Sequence, residues 1–166
     1  MDKDREYGRA EAKAFRLLTL RAHSEKELRA KLREGQFPAP VVDQVVLRCR
    51  ELGYLNDELF ARQRARLLAV SRLAGDRRIA FDLRERGINE ELAARAIAEV
   101  RGEFDEEEAA TRLLRKKTRG RTVATLNERE KAGLARNLMG KGFPTGLIYK
   151  ILKKTEEEGF HDDDGE

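Results

Sequence analysis

Tryptophan is absent from this sequence, cysteine occurs once, histidine twice and proline three times. Each shortage closes off a class of protein. The single Cys49 cannot form an intrachain disulfide, so the fold must stand on packing, and a reducing compartment suits it. One cysteine and two distant histidines give no ligand set at metal spacing, and neither metal nor cofactor is expected. His23, just ahead of a serine that reads as a helix cap, is a turn residue, and His161 lies in a charged tail. There is no GxGxxG and no P-loop pattern. Acid pairs are abundant but interleaved with Arg and Lys, the arrangement of surface ion pairs rather than of a dry catalytic dyad. Without a nucleophile–base constellation, an enzyme is not expected. No apolar run reaches membrane-spanning length, and Met1 to Glu6 lacks the apolar core of a signal peptide. A cytoplasmic protein with no membrane contact is the expectation.

What the chain has in quantity is charge. Of 166 residues, 40% are charged and only 6% aromatic, with a net charge of +4 and a pI near 9.3. This profile favours helices with thin cores, and it permits affinity for nucleic acid or an acidic surface without demanding it.

The chain also has an internal repeat. Ile79, Leu83, Ile88, Leu92 and Ile97 form a spaced apolar skeleton that recurs upstream as Leu28, Leu32, Phe37, Val41 and Val46, and downstream as Leu134, Leu138, Phe143, Leu147 and Leu152. The copies are offset by 51 and 55 residues. A glycine stands just before the central residue in two copies (Gly87, Gly142) and two before it in the third (Gly35). Units of this size cannot bury an apolar face alone and are built to stack. The expected fold is all-α, with three tandem three-helix repeats in an elongated, curved array. The units are residues 9–54, 55–103 and 104–155, followed by an acidic disordered tail over 156–166.

Helix boundaries follow from caps and breakers. Residues 1–8 read as frayed, and a first helix runs from about Arg9 to Ala22. Ser24 with Glu27, and Asn127 with Glu130, read as capping boxes; Asn56 or Asp57, Asn89 and Asp105 read as N-caps. Helices stop at Gly35, Gly53 and Gly140–Gly142. Phe37-Pro38-Ala39-Pro40 is a turn, and Arg119 to Leu126 is a longer connection. The helix from about Glu58 to Leu73 should bury Leu59, Phe60, Leu67 and Val70. Tyr54 reads as a structural residue at the first joint, and Gly53, Gly75 and Gly87 as backbone residues.

The candidate contact residues are basic. Arg62, Arg66, Arg72, Arg77, Arg78, Arg84 and Arg86 crowd the middle unit, where acids are few; they suit bidentate contact with phosphate or carboxylate, or they form a solvated helix face. Arg115, Lys116, Lys117, Arg119 and Arg121 make a second cluster. Helix C-terminal stabilisation accounts for the lysines, but not for Arg119 and Arg121 beyond the helix. Phe81 points away from Ile79 and Leu83 on a helical wheel, either packing on an adjacent unit or standing exposed as an anchor for a partner.

Ser24-Glu25-Lys26-Glu27-Leu28 with Lys31-Leu32, Gly53-Tyr54-Leu55-Asn56-Asp57 with Phe60-Ala61, and Gly75 with Arg78-Ile79 and Leu83-Arg84-Glu85-Arg86-Gly87-Ile88 together resemble the RecX family. The resemblance spans roughly residues 10 to 153. It is strong in the first two units; in the third only Leu138, Gly142, Phe143, Ile148 and the repeat spacing match. Asn56 stands where the family often has Asp. The resemblance implies a regulator that binds along RecA recombinase filaments on single-stranded DNA; a monomer is expected. It implies inhibition of their ATPase, strand exchange and extension, and so modulation of DNA repair, recombination and the SOS response. Weak, non-specific affinity for single- and double-stranded DNA accompanies this expectation. The alternative is a direct non-specific DNA-binding protein built of helix-turn-helix-like units, since three-helix units of this size also resemble such readers. Against it, the third helices lack side chains suited to base edges.

Overall fold

The computed structural model describes residues 2–160, and among these every regular element is helical. The first unit comprises α1 (Asp2–Leu20), α2 (Glu25–Glu34) and α3 (Ala39–Glu51). The second comprises α4 (Asp57–Arg66), α5 (Asp76–Glu85) and α6 (Glu90–Glu103), and the third α7 (Glu106–Thr118), α8 (Glu128–Gly140) and α9 (Thr145–Glu158). Each unit has its own core. Leu28, Leu32, Val42, Val46 and Cys49 centre the first, Ala65, Ala69, Ile79 and Leu83 the second, and Leu114, Leu138, Phe143 and Ile151 the third. The result is an array of three small helical trios.

The caps lie where the residue types place them. Ser24–Glu27 and Asn127–Glu130 form reciprocal capping boxes, while Asn56, Asn89 and Asp105 each accept the N–H three residues on. Other expectations need correction. The first helix begins at Asp2 instead of near Arg9, with Asp2 and Asp4 in its first turn, where they complement the helix dipole, and with Tyr7 packed on the first core. The last helix continues through Glu158, because Glu156 pairs with Lys131 at 2.7 Å; only residues 161–166 of the expected tail, His161 among them, lie outside the described residues. His23 is a turn residue but buried, its Nδ1 2.9 Å from the Arg21 carbonyl oxygen.

The largest misreading concerns α4. Leu59, Leu67 and Val70 were expected inside but are exposed, and Ala61, Ala65 and Ala69 are buried in their place with Phe60. These alanines face Ala93 and Ala96 within one core. Small side chains let two helices approach closely, and that gain outweighs burying the bulkier face. The last turn widens into a π-helical segment, Leu67–Ser71, which carries the chain into the following joint.

The joints between units repeat one device. The N–H of Glu25, first residue of α2, donates to Asp57 Oδ1, first residue of α4, at 2.8 Å. The N–H of Asp76, first residue of α5, donates to Glu106 Oε1, first residue of α7, again at 2.8 Å. Thus the second helix of one unit is capped by the first helix of the next, which satisfies an amide that a helix start leaves orphaned. Burial raises both acceptor carboxyls above their ordinary values. Their ionisation therefore opposes folding, increasingly so as pH rises through the shifted range. From the third helix, Arg50 holds Glu25 at 2.5 Å and Arg101 holds Asp76 at 2.7 Å. Arg101 also donates to the Ala74 carbonyl at 2.8 Å.

A left-handed residue completes each joint. Gly87 (φ 80°) lies against Lys26, where a Cβ would come within 2.7 Å of the lysine Cβ; Gly142 (φ 92°) lies against Arg78, where a Cβ would come within 2.5 Å of the arginine Cβ. In the first unit the equivalent left-handed residue is Gln36 (φ 62°), whereas Gly35 has φ −77°. Gly35 therefore does not serve as the left-handed stop. Among the described residues no unit precedes the first to press on this position as units one and two press on Gly87 and Gly142.

An ion-pair network adds to the first joint. Asp82 on α5 receives Arg64 in a two-pronged contact at 2.7 and 2.9 Å and Arg86 at 2.9 Å, and Arg86 reaches on to Glu27 of α2. Hydrogen bonds from Arg64, reinforced by Arg86, outweigh partial burial and hold the Asp82 carboxyl at about 2.

Two outcomes are expected. Gly142→Ala should destabilise by at least about 2 kcal/mol, combining left-handed strain with displacement of Arg78, whereas Gln36→Gly should stabilise by about 0.5–1 kcal/mol; urea denaturation of both variants measures this. Asp82→Asn should cost about 2 kcal/mol at pH 7. Because the folded-state value of Asp82 is depressed, that difference should hold at neutral pH and shrink as pH is lowered from about 4 toward 2, read from urea midpoints across pH.

Candidate partner-binding surface

The structure sorts the basic residues of the middle unit into two groups. Arg62 pairs with Glu99 at 2.8 Å, Arg66 with Glu103, and Arg86 with Glu27 and Asp82. The side-chain hydrogen bonds to Glu99 and Glu103 raise the pKa of Arg62 and Arg66. These three guanidiniums are already partly engaged within the protein, tying α4 to α6 and α5 to α2. Arg72, Arg77, Arg78 and Arg84 differ. All four are exposed, and none has a carboxylate within ion-pair distance among the described residues.

Arg78 and Arg84 flank Phe81, one turn before and one turn after it on α5. Their guanidinium carbons lie 5.9 and 5.5 Å from the ring centroid. The ring is 46% exposed. It stands at the rim of a groove of about 320 Å³ between α2 and α5, whose opposite wall carries Lys26 and Ala30. Lys26 is held there by its ammonium group, which donates to the Glu85 carbonyl at 2.9 Å. The groove therefore runs across the first joint, and its shape depends on the contacts that fix one unit against the next.

The second basic cluster lies on the third unit. Lys116 and Lys117 are exposed in the last turn of α7, where cations complement the helix dipole. Arg119 takes the left-handed position that ends the helix (φ 54°). Arg121 is 3.4 Å from Glu130, and the Arg115 guanidinium lies 5.3 Å from the centre of the Phe160 ring. The connection after it is tied down by Val123 and Leu126, both buried, which present Arg119 and Arg121 on an ordered turn.

Among the described residues no group of His, Cys, Asp or Glu could hold a metal ion, and no helix is long and apolar enough to cross a membrane. Tyr54, expected at the joint, is largely exposed with its ring edge-on to Phe15 at 5.7 Å. The apolar pattern marks Phe81 alone; the groove comes from the packing of two units, which sets the equivalent positions Ala30 and Phe81 on its walls.

Comparison with known proteins gives a consistent result. Residues 10–49 match the model of the RecX first three-helix domain, and residues 56–97 that of the RecX second three-helix domain. The regulatory protein RecX of Syntrophotalea carbinolica is 33% identical over 141 residues, 85% of this chain and 92% of that protein. The regulatory protein RecX of Amycolatopsis mediterranei is 31% identical over 160 residues, 92% and 86% of the two chains. The crystal structure of RecX from Lactobacillus salivarius superposes with a TM-score of 0.77 over 93% of this chain and 99% of that one, at 19% identity. A second RecX crystal structure gives 0.75 over 92% and 74%, at 23% identity; at such identities the likeness speaks for the fold. With both domains matched and relatives aligned over most of their length, the chain belongs to the RecX family of regulatory proteins.

Proposed function

We propose that this protein binds RecA recombinase filaments on single-stranded DNA and inhibits their ATPase, strand exchange and extension, thereby modulating recombination, DNA repair and the SOS response. The observation that carries the reading is the cationic surface left over after internal pairing. Arg72, Arg77, Arg78 and Arg84 on the middle unit, with Lys116, Lys117 and Arg119 on the third, are exposed without carboxylate partners among the described residues. They are spread over two units of a chain with three separate cores. A ligand for that surface is long and anionic, as a nucleoprotein filament is. Exposed arginines without carboxylate partners break no ion pair on binding, and Arg suits both carboxylate and phosphate. The family membership supplies the regulatory role.

Direct, non-specific DNA binding is the competing reading, and salt separates the two. Binding through several phosphates weakens steeply between low and moderate salt, while filament inhibition with protein contacts persists further. In a RecA DNA-dependent ATPase assay, the protein should depress turnover. Replacing Lys116, Lys117 and Arg119 together with glutamine should weaken the inhibition several-fold, with the thermal melt lowered only by the small loss of cations that complement the α7 dipole. Undiminished ATPase at saturating protein would end the reading.

A further inference from the structure

The repeat supplies an internal control for every surface position. At offsets of 51 and 55 residues, Phe81 corresponds to Ala30 and Arg136, and all three positions are exposed. The three-helix unit therefore does not need a large apolar side chain at this site; it folds with alanine or arginine there. Arg78 corresponds to Glu27 and Gly133, and Arg84 to Arg33 and Met139. The combination of an aromatic ring between two unpaired guanidiniums is peculiar to the middle unit. Exposing nearly half of a phenylalanine gains nothing for the monomer, and aromatic and arginine side chains together are the usual composition of binding hot spots.

We infer that the groove between α2 and α5 is an anchoring site for a short segment of the partner protein, one that presents an apolar side chain flanked by carboxylates. This rests on the reading above that the partner is the recombinase filament. The apolar group packs on Phe81 and Ala30 within the groove of about 320 Å³. Its neighbouring carboxylates meet Arg78 and Arg84, which have no acid of their own among the described residues. Protein is favoured over nucleic acid by the remaining charges. Glu27, Asp82 and Glu85 also line the groove. The first two are held by arginines, but the Glu85 carboxylate has no cation within ion-pair distance among the described residues; a continuous run of phosphates along the groove would have to pass it, whereas a protein segment needs carboxylates only beside Arg78 and Arg84 and brings an apolar group for Phe81. The site is also preformed: the Lys26–Glu85 contact and the Arg86–Glu27 pair fix its two walls against each other, so little conformational freedom is lost on docking.

The test uses the full chain with Phe81→Ala, Arg84→Glu and, as a matched control at the same position of the third unit, Arg136→Ala. Affinity is measured for RecA filaments assembled on oligo(dT), and separately for labelled oligo(dT) alone, with thermal melts confirming the fold. Phe81→Ala and Arg84→Glu should each weaken filament binding about tenfold or more and leave oligo(dT) affinity within about twofold for Phe81→Ala; Arg136→Ala should leave filament binding unchanged. Wild-type binding that Phe81→Ala and Arg84→Glu do not alter overturns the anchor alone. An equal loss on oligo(dT) and on filaments assigns the groove to nucleic acid and overturns it as well. A wild-type protein that ignores filaments removes both this inference and the function on which it rests.

Discussion

The array depends on a single hydrogen bond made twice. The first amide of a second helix needs an acceptor, and the first carboxylate of the next unit provides it, Asp57 for Glu25 and Glu106 for Asp76, both at 2.8 Å. A helix start is an electropositive place, so the contact satisfies an orphan donor and orients two units at once. It also has a cost. Burial pushes both carboxyls upward, so ionising either one opposes the folded state. Arg50 and Arg101, placed identically on the third helices, neutralise the neighbouring acids Glu25 and Asp76 and limit the accumulation of negative charge.

The same device explains where the repeat is not regular. The left-handed glycine before the central apolar residue is required only where a preceding unit presses on it, at Gly87 and Gly142. Gln36, which has no unit before it among the described residues, keeps the conformation without the glycine. At the other end, the position of Arg50 and Arg101 corresponds to Glu156. No fourth unit follows within the described residues to be oriented, and Glu156 pairs with Lys131 of its own unit instead. The exceptions fall at the two ends, where the described residues hold no further joint.

Much of this architecture is legible in sequence. Spacing of the apolar skeleton reports burial directly, and capping residues report helix starts through a local bond, so the trios and most boundaries follow. Two kinds of information are not local. Which face of α4 is buried depends on how closely α6 approaches, and Ala65 and Ala69 are silent in a reading that weighs large side chains. Which arginines are available to a partner depends on acids up to 59 residues away, as with Arg86 and Glu27. Composition alone counted Arg62, Arg66 and Arg86 equally with Arg78 and Arg84, although the structure gives the first three carboxylate partners.

Three cores of this size, each barely large enough to stand alone, would be expected to swivel. Little apolar surface is shared between them: Leu55 belongs to the first core, and Leu73 packs on the third. Coupling therefore falls to backbone contacts and ion pairs, which are directional where apolar contacts are not. Gly75 donates to the Lys141 carbonyl at 2.8 Å, with no side chain between the two backbones, so direct main-chain contact joins the Asp76–Glu106 bond in setting the angle between units two and three. Directional joints between small cores make damage separable: a change at a joint alters the spacing of the cationic faces before it unfolds a unit. If the cationic faces are what a partner reads, as proposed, that spacing is the quantity a joint controls.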